Sequence, residues 1–176
     1  AEKETSVTVP DNSLFNTTSI SKYGSQLNQS LIHGIATLQG IAASDKPIGS
    51  RELSRLLQLD ITKVNRLLRT LAYLGLVRQT ADKKYTSGPG MHVLAAQSIY
   101  ASGYINRSVR ALEKLRKFGL IVAMGSLWQD KVSYMYHAKP GMDNLSAIGS
   151  LSFYPASASG IGLALFSELA DDEVSA

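Results

Sequence analysis

Apolar positions recur every three to four residues through most of 28–118 and alternate beyond 119, so helices are expected first and strands later. The clearest stretch is 60–75, D-I-T-K-V-N-R-L-L-R-T-L-A-Y-L-G. On a helical wheel, Val64, Leu67, Leu68, Leu71 and Leu74 share one arc. Thr62, Arg66, Arg69 and Tyr73 share the opposite arc, flanked by Lys63 and Asn65. Asp60 can cap this helix, and Gly75 can end it in a left-handed turn. The result is a helix with a leucine-rich inner face and a cationic, hydrogen-bonding outer one.

The neighbouring patterns place that helix in a layout. Leu31, Ile35, Leu38 and Ala42 predict a helix over 28–43 with His33 on its surface, broken by Asp45, Lys46 and Pro47. A second helix is expected from Gly49 or Ser50, where Gly49 and Glu52 resemble a weak capping box. It turns Leu53, Leu56 and Leu57 inward and ends near 58–59. Two helices joined by so tight a turn have the form of a helix-turn-helix. Short strands at 76–79 and 85–89 flank a charged turn at 80–84, a β-hairpin that would act as a wing with Lys83 and Lys84 at its tip. Helices follow over 91–101 and 104–118, separated by Ser102 and Gly103. The second of these should bury Ile105, Val109, Leu112 and Leu115 and leave Arg107, Arg110, Lys114, Arg116 and Lys117 solvated. Strands are expected over 120–127 and 132–138, the latter with Val132, Tyr134 and Tyr136 on one face and Ser133, Met135 and His137 on the other. A loop at 139–142, an extended piece at 147–153, a helix over 158–168 and the opening of another at 169–173 complete the pattern. Residues 1–23, rich in Ser, Thr and Asn, read as a flexible arm with a short strand at 6–9.

Charge sharpens this picture. The chain of 176 residues carries a net charge of +4. Between 45 and 84, nine basic residues stand against four acidic ones, and the remainder is slightly acidic. A local excess of five positive charges over the helix-turn-helix and wing is the footprint expected for a polyanion. There is no cysteine, so disulfides and thiolate metal sites are excluded. His33, His92 and His137 lie far apart without metal-ligand spacing, and no P-loop, G-x-S-x-G or H-E-x-x-H motif is present. No apolar run is long enough to span a bilayer, and the N-terminus has no signal-peptide pattern. No cofactor, metal or membrane role is expected, and an enzyme is disfavoured.

From about residue 28 onward the chain resembles the IclR family of bacterial transcription regulators. P-I-G-S-R-E-L-S-R-L-L-Q-L-D-I-T-K-V-N-R-L-L-R-T-L-A-Y-L-G-L-V is similar to the family's helix-turn-helix. K-K-Y-T-S-G-P at 83–89 resembles its wing, and P-A-S-A-S-G-I-G-L-A-L at 155–165 resembles the segment that opens its effector-domain helix. The resemblance implies an α+β protein. An N-terminal winged helix-turn-helix (24–89) would be joined by a linker and dimerisation helix (90–103) to a truncated, GAF-like α/β effector domain (104–176). Family members continue through further strands and helices, so the effector domain is expected to be cut short at Ala176. The resemblance also implies a cytoplasmic homodimer or homotetramer that binds a near-palindromic operator in double-stranded DNA, more often as a repressor, under control of a small organic acid. Candidate DNA-binding residues are Arg51, Thr62, Lys63, Asn65, Arg66, Arg69, Lys83 and Lys84. Candidate effector-binding residues are Ser159, Gly160 and Ile161, whose backbone amides at a helix start suit a carboxylate, with Met142 and Leu145 as an apolar lid. Asp60 would repel phosphate if it faced outward and is expected to be used as a cap.

The alternative reading is a winged-helix module that binds another protein and not DNA. Three basic residues and an asparagine on the outer arc of 60–75 favour DNA over that reading.

Overall fold

A computed structural model of the chain describes residues 27–128, 130–143, 146–147 and 153–170. The expected arm at 1–23, with its strand at 6–9, lies outside these residues, as do Leu145, most of the extended piece at 147–153 and the helix start after 170. The chain divides into two compact units between Ala101 and Ser102.

The first unit is built on three helices. α1 (Gln29–Ala42) is capped by Asn28, whose side chain accepts the Leu31 amide at 3.0 Å. α2 (Ser50–Leu57) starts at Gly49 with no side-chain cap, so the capping box anticipated there does not form: glycine has no side chain to accept the bond. α3 (Ile61–Tyr73) is the 60–75 helix. The α2–α3 turn is made by Gln58 in the left-handed region (φ 52°), and Ser54 Oγ donates to the Leu59 carbonyl at 2.6 Å across it. Leu53, Val64 and Leu68 are fully buried, with Leu38, Ile41, Ile48, Leu57, Leu71 and Val77 around them. Each such side chain contributes about 1.5–3 kcal/mol by leaving water.

Two expectations for this core are corrected. Along α1, Leu31 and Ile35 are exposed, while the run from Ala36 to Ile41 is buried on every side. The C-terminal half of α1 is the part the other elements enclose, so burial follows position along the helix more than its face. On α3, Leu74 is 57 % exposed because the helix ends before it can turn inward.

β1 (Val77–Gln79) pairs antiparallel with β2 (Tyr85–Ser87), and Ile48 bridges to Tyr85 as a third short strand piece. Gly75 ends α3 in the left-handed region (φ 71°), as expected, and Leu76 N donates to Leu71 O. The hairpin returns against this turn: Gly88 N bonds Leu76 O and Gly90 N bonds Gly75 O. A Cβ on Gly88 would lie 2.4 Å from the Gly75 carbonyl oxygen. That contact explains the glycine in the Y-T-S-G-P motif. α4 (Pro89–Ser102) then runs with no buried residue; Val93, Leu94 and Tyr100 are exposed and only Met91 touches the core.

The second unit opens with α5 (Tyr104–Arg116), which stops two residues short of the expected end at Phe118 because Gly119 takes a left-handed turn. β3 (Val122–Trp128), β4 (Lys131–Ala138) and β5 (Phe153–Pro155) form an antiparallel sheet in the order β3-β4-β5. Leu120 and Ile121 precede β3 and are exposed instead of pairing. A bulge lets Met124 pair with Tyr136 and Gly125 with Tyr134, leaving Met135 without a partner in the ladder. The bulge corrects the two-face reading of β4: the Tyr134 ring lies 5.5 Å from His137, a residue assigned to the opposite face. A 3-10 turn (Ala156–Ala158) leads into α6 (Gly160–Phe166), so the single helix anticipated over 158–168 is shorter and begins with a turn. Val122, Tyr136, Ala138 and Ala147 form a small core with Leu112, Met124 and Met142 against it.

Candidate functional site

α3 is seated by leucines and capped by a carboxylate. Asp60 Oδ1 accepts the amides of Thr62 (2.8 Å) and Lys63 (3.2 Å), and these bonds hold its carboxyl below the ordinary carboxylate range. Its charge is thereby directed into the helix start, where the dipole favours it. Opposite the buried face, Thr62, Arg66 and Arg69 are exposed and Lys63 and Asn65 half-buried at its edge. The five side chains predicted from the wheel therefore lie on one solvent-facing surface of one helix. Tyr73 extends that surface, 90 % exposed.

Arg51 is exposed on α2. Lys83 and Lys84 lie at the tip of the β1–β2 hairpin, which is braced internally. Thr80 N donates to Lys84 O at 2.8 Å, Lys83 N to Thr80 O at 3.0 Å, and Thr80 Oγ1 to Asp82 Oδ1 at 2.5 Å. The Thr80 hydroxyl bond is the main reason the Asp82 carboxyl titrates low. Lys84 Nζ lies 3.7 Å from Asp82, an exposed pair that trims the positive charge of the tip. Lys83 holds a left-handed backbone (φ 60°).

His33, expected on the surface, is half-buried, with Nδ1 enclosed. Burial, and then the nearby Lys63, push its pKa down. Lys63 of α3 therefore lies near His33 of α1, a proximity that the α1 pattern alone does not show.

In the second unit, Ser159 is buried and caps α6: its Oγ accepts the Gly162 amide at 3.3 Å and lies 3.2 Å from the Tyr134 hydroxyl. The amides of Gly160 and Ile161 come before the first intrahelical bond and point out of the helix start. A Cβ on Gly160 would meet nothing within 4 Å, whereas one on Gly162 would fall 2.1 Å from Ala156 O. The glycine required for packing is therefore Gly162, and the space before Gly160 is open. Ile161 packs towards Gly125, and Met142 sits instead on the Tyr136 cluster.

A network that the sequence pattern did not single out holds Met142. The Tyr136 hydroxyl donates to Glu113 Oε1 at 2.6 Å, Glu113 Oε2 pairs with Arg116 Nη1 at 3.4 Å, and Arg116 Nη2 donates to the Met142 carbonyl. Burial first, and then Glu113, raise the Tyr136 pKa. Arg116 thus leaves the solvated face to which it was assigned, because a carboxylate three residues back and a backbone carbonyl offer it better partners than water. The (i, i+3) Glu–Arg spacing was the available signal. Among the described residues, no cluster of three potential metal ligands occurs and no helix is long and apolar enough to cross a membrane.

Comparisons agree with this geometry. Residues 30–81 match the model of the IclR helix-turn-helix domain. No curated protein matches the chain. Among solved structures, an IclR family transcriptional regulator from Brucella abortus superposes with a TM-score of 0.69 at 20 % identity, covering 93 % of this chain and 62 % of that one. An ICLR transcriptional regulator from a Silicibacter species gives 0.70 at 21 % identity, covering 82 % and 58 %. An IclR homolog from Microbacterium hydrocarbonoxydans, solved with 4-hydroxybenzoate, gives 0.65 at 16 % identity, covering 82 % and 61 %. The chain thus spans about three fifths of the length of these relatives. Residues 30–81 thus form a helix-turn-helix domain of the IclR type, and the chain shares the α+β fold of the solved IclR regulators.

Proposed function

We propose that this chain is a DNA-binding transcription regulator, a repressor, whose operator binding is modulated by a small organic acid. The observation that carries the reading is the outer surface of α3. Thr62, Lys63, Asn65, Arg66 and Arg69 project from a helix held rigid by Val64, Leu68 and Leu71 on its other side. Asparagine and arginine are the side chains suited to bidentate bonds with adenine and guanine edges in the major groove. Arg51, Lys63, Lys83 and Lys84 supply phosphate contacts that set register. The protein works as a homodimer or homotetramer on a near-palindromic operator, in the cytoplasm, and the reading involves no enzymatic step.

The second unit is the effector end. Gly160 and Ile161 offer amides to a carboxylate, while Ser159, whose own amide donates to Ala156 O, holds the helix start that presents them. The 4-hydroxybenzoate in the Microbacterium homolog, an aromatic acid, supports that ligand class. The test is selection of genomic fragments by the full chain, followed by titration with benzoates, keto acids and sugar acids. The reading predicts selective, salt-sensitive capture of fragments and release by one acid class. A folded chain that captures no fragment selectively at low salt contradicts it and favours a protein-binding module.

A further inference from the structure

A shallow cleft of about 330 Å³ lies between α2 and the first residue of α3, lined by Arg51, Ser54, Arg55 and Ile61. Arg55 played no part in the reading of the outer face of α3. It stands four residues after Arg51, so the two guanidinium groups share one face of α2, and both residues are exposed. Like charges at this spacing destabilise a helix. Among the described residues neither arginine is in an ion pair. Two acids flank the cleft in sequence: Asp60 is occupied with the Thr62 and Lys63 amides, and Glu52, exposed on α2 three residues before Arg55, forms no ion pair among the described residues. Ser54 spends its hydroxyl proton on Leu59 O, which leaves the oxygen only able to accept and the arginines as the cleft's charged donors. Two unpaired guanidinium groups around a concavity of this size are suited to an anion with several oxygens.

The position of the cleft selects the anion. Ile61, one wall, is the first residue of the helix whose next turn exposes Thr62 and Arg66. In a helix-turn-helix the first helix crosses the DNA backbone where the second enters the groove. We propose that Arg51 and Arg55 together clamp one backbone phosphate of the duplex at the edge of the groove that α3 occupies. This rests on the DNA-binding reading above. It assigns Arg55 a positioning role beside Arg51. A purely structural role for Arg55, in the last turn of α2, would be to offset the negative helix end.

The test is anisotropy binding of the full chain and of Arg51→Ala, Arg55→Ala and Arg110→Ala to two duplexes between 50 and 200 mM salt. One duplex is a genomic fragment selected by the unaltered chain; the other is random sequence of equal length. Arg110, exposed in the second unit, controls for loss of charge alone. Each clamp variant is expected to weaken both duplexes by the same factor and, with one clamp lost from each protomer of a dimer, to lower the salt slope by about 1.8, so that the loss of affinity between the two salt concentrations is about 12-fold smaller than for the unaltered chain. Arg110→Ala should leave the slope unchanged. The clamp is overturned if Arg55→Ala melts earlier but keeps the slope, if it matches Arg110→Ala, or if it weakens only the selected fragment. An unaltered chain that binds neither duplex overturns the DNA-binding reading itself, and the clamp with it.

Discussion

The two units solve the burial problem differently. In the first, three helices and a short hairpin converge on one core, and the apolar residues left over (Leu31, Ile35, Leu74, Val93, Leu94) are scattered on α1, α4 and the end of α3. In the second, the described residues form three strands and two helices that bury only a few side chains. Leu115, Phe118, Leu120 and Ile121 remain exposed around a groove of about 270 Å³ that Leu112, Val122 and Ala123 also line. Helical contacts are local, so a short stretch of chain can complete its own core. A sheet needs partners distant in sequence, and its edges stay open until they arrive. The lesson is that the helical unit is expected to unfold on its own terms, while the sheet unit depends on a few tight contacts.

The largest effects should come from glycines at those tight contacts. Trp128, the only tryptophan, lies on β3 and reports the second unit alone. Gly88→Ala forces a Cβ onto the Gly75 carbonyl and should cost the first unit about 2–3 kcal/mol. In denaturant titrations the helical circular dichroism transition then moves to lower concentration while the Trp128 fluorescence transition holds. Gly162→Ala, against Ala156 O, should do the reverse. A coincident shift of both signals in either variant would show that the two units unfold as one.

Next in size is Tyr136→Phe, which leaves Glu113 and Arg116 without their buried hydroxyl partner. A cost of about 1–2 kcal/mol to the Trp128 transition is expected, with faster hydrogen exchange around Met142. Unchanged exchange there would separate the Met142 turn from the network. Gln58→Gly acts in the opposite direction. Removing a side chain from a left-handed residue should stabilise the first unit by about 1 kcal/mol, measured by its melting temperature.

The smallest effect is a pH dependence. His33 has a lowered pKa in the fold, so the unfolded chain takes up its proton first. Its contribution to stability is present above the ordinary imidazole value of 6.5 and is lost as pH falls through that value towards the lower folded one. Melting of the first unit should therefore drop between pH 7.5 and 5.5, and His33→Asn should flatten the drop. An equal drop in the variant would assign the pH dependence to other groups.

How legible this was from sequence varied with the range of the contacts. Capping by Asp60, termination at Gly75 and the outer face of α3 rest on neighbours within one turn, and the wheel and cap rules reach them. The exposure of Leu31 and Ile35 could not be read in the same way, because it depends on how much of α1 the other elements enclose. Neither could the bulge at Met135, which re-aims Tyr134, nor the recruitment of Arg116 by Met142, 26 residues away. The two glycines of the S-G-I-G motif look alike in sequence. Only the fold shows that Gly162 is needed for packing while Gly160 faces open space.

The most direct test of the central claim compares affinities for a selected genomic fragment and a random duplex, at one salt concentration, for the unaltered chain and for Asn65→Ala, Arg66→Ala and Arg69→Ala. The account predicts that at least one substitution lowers the ratio of the two affinities by about 10-fold or more, the worth of a bidentate base contact, while melting is unchanged. Three stable variants that keep the full ratio would contradict the assignment of sequence reading to the outer face of α3.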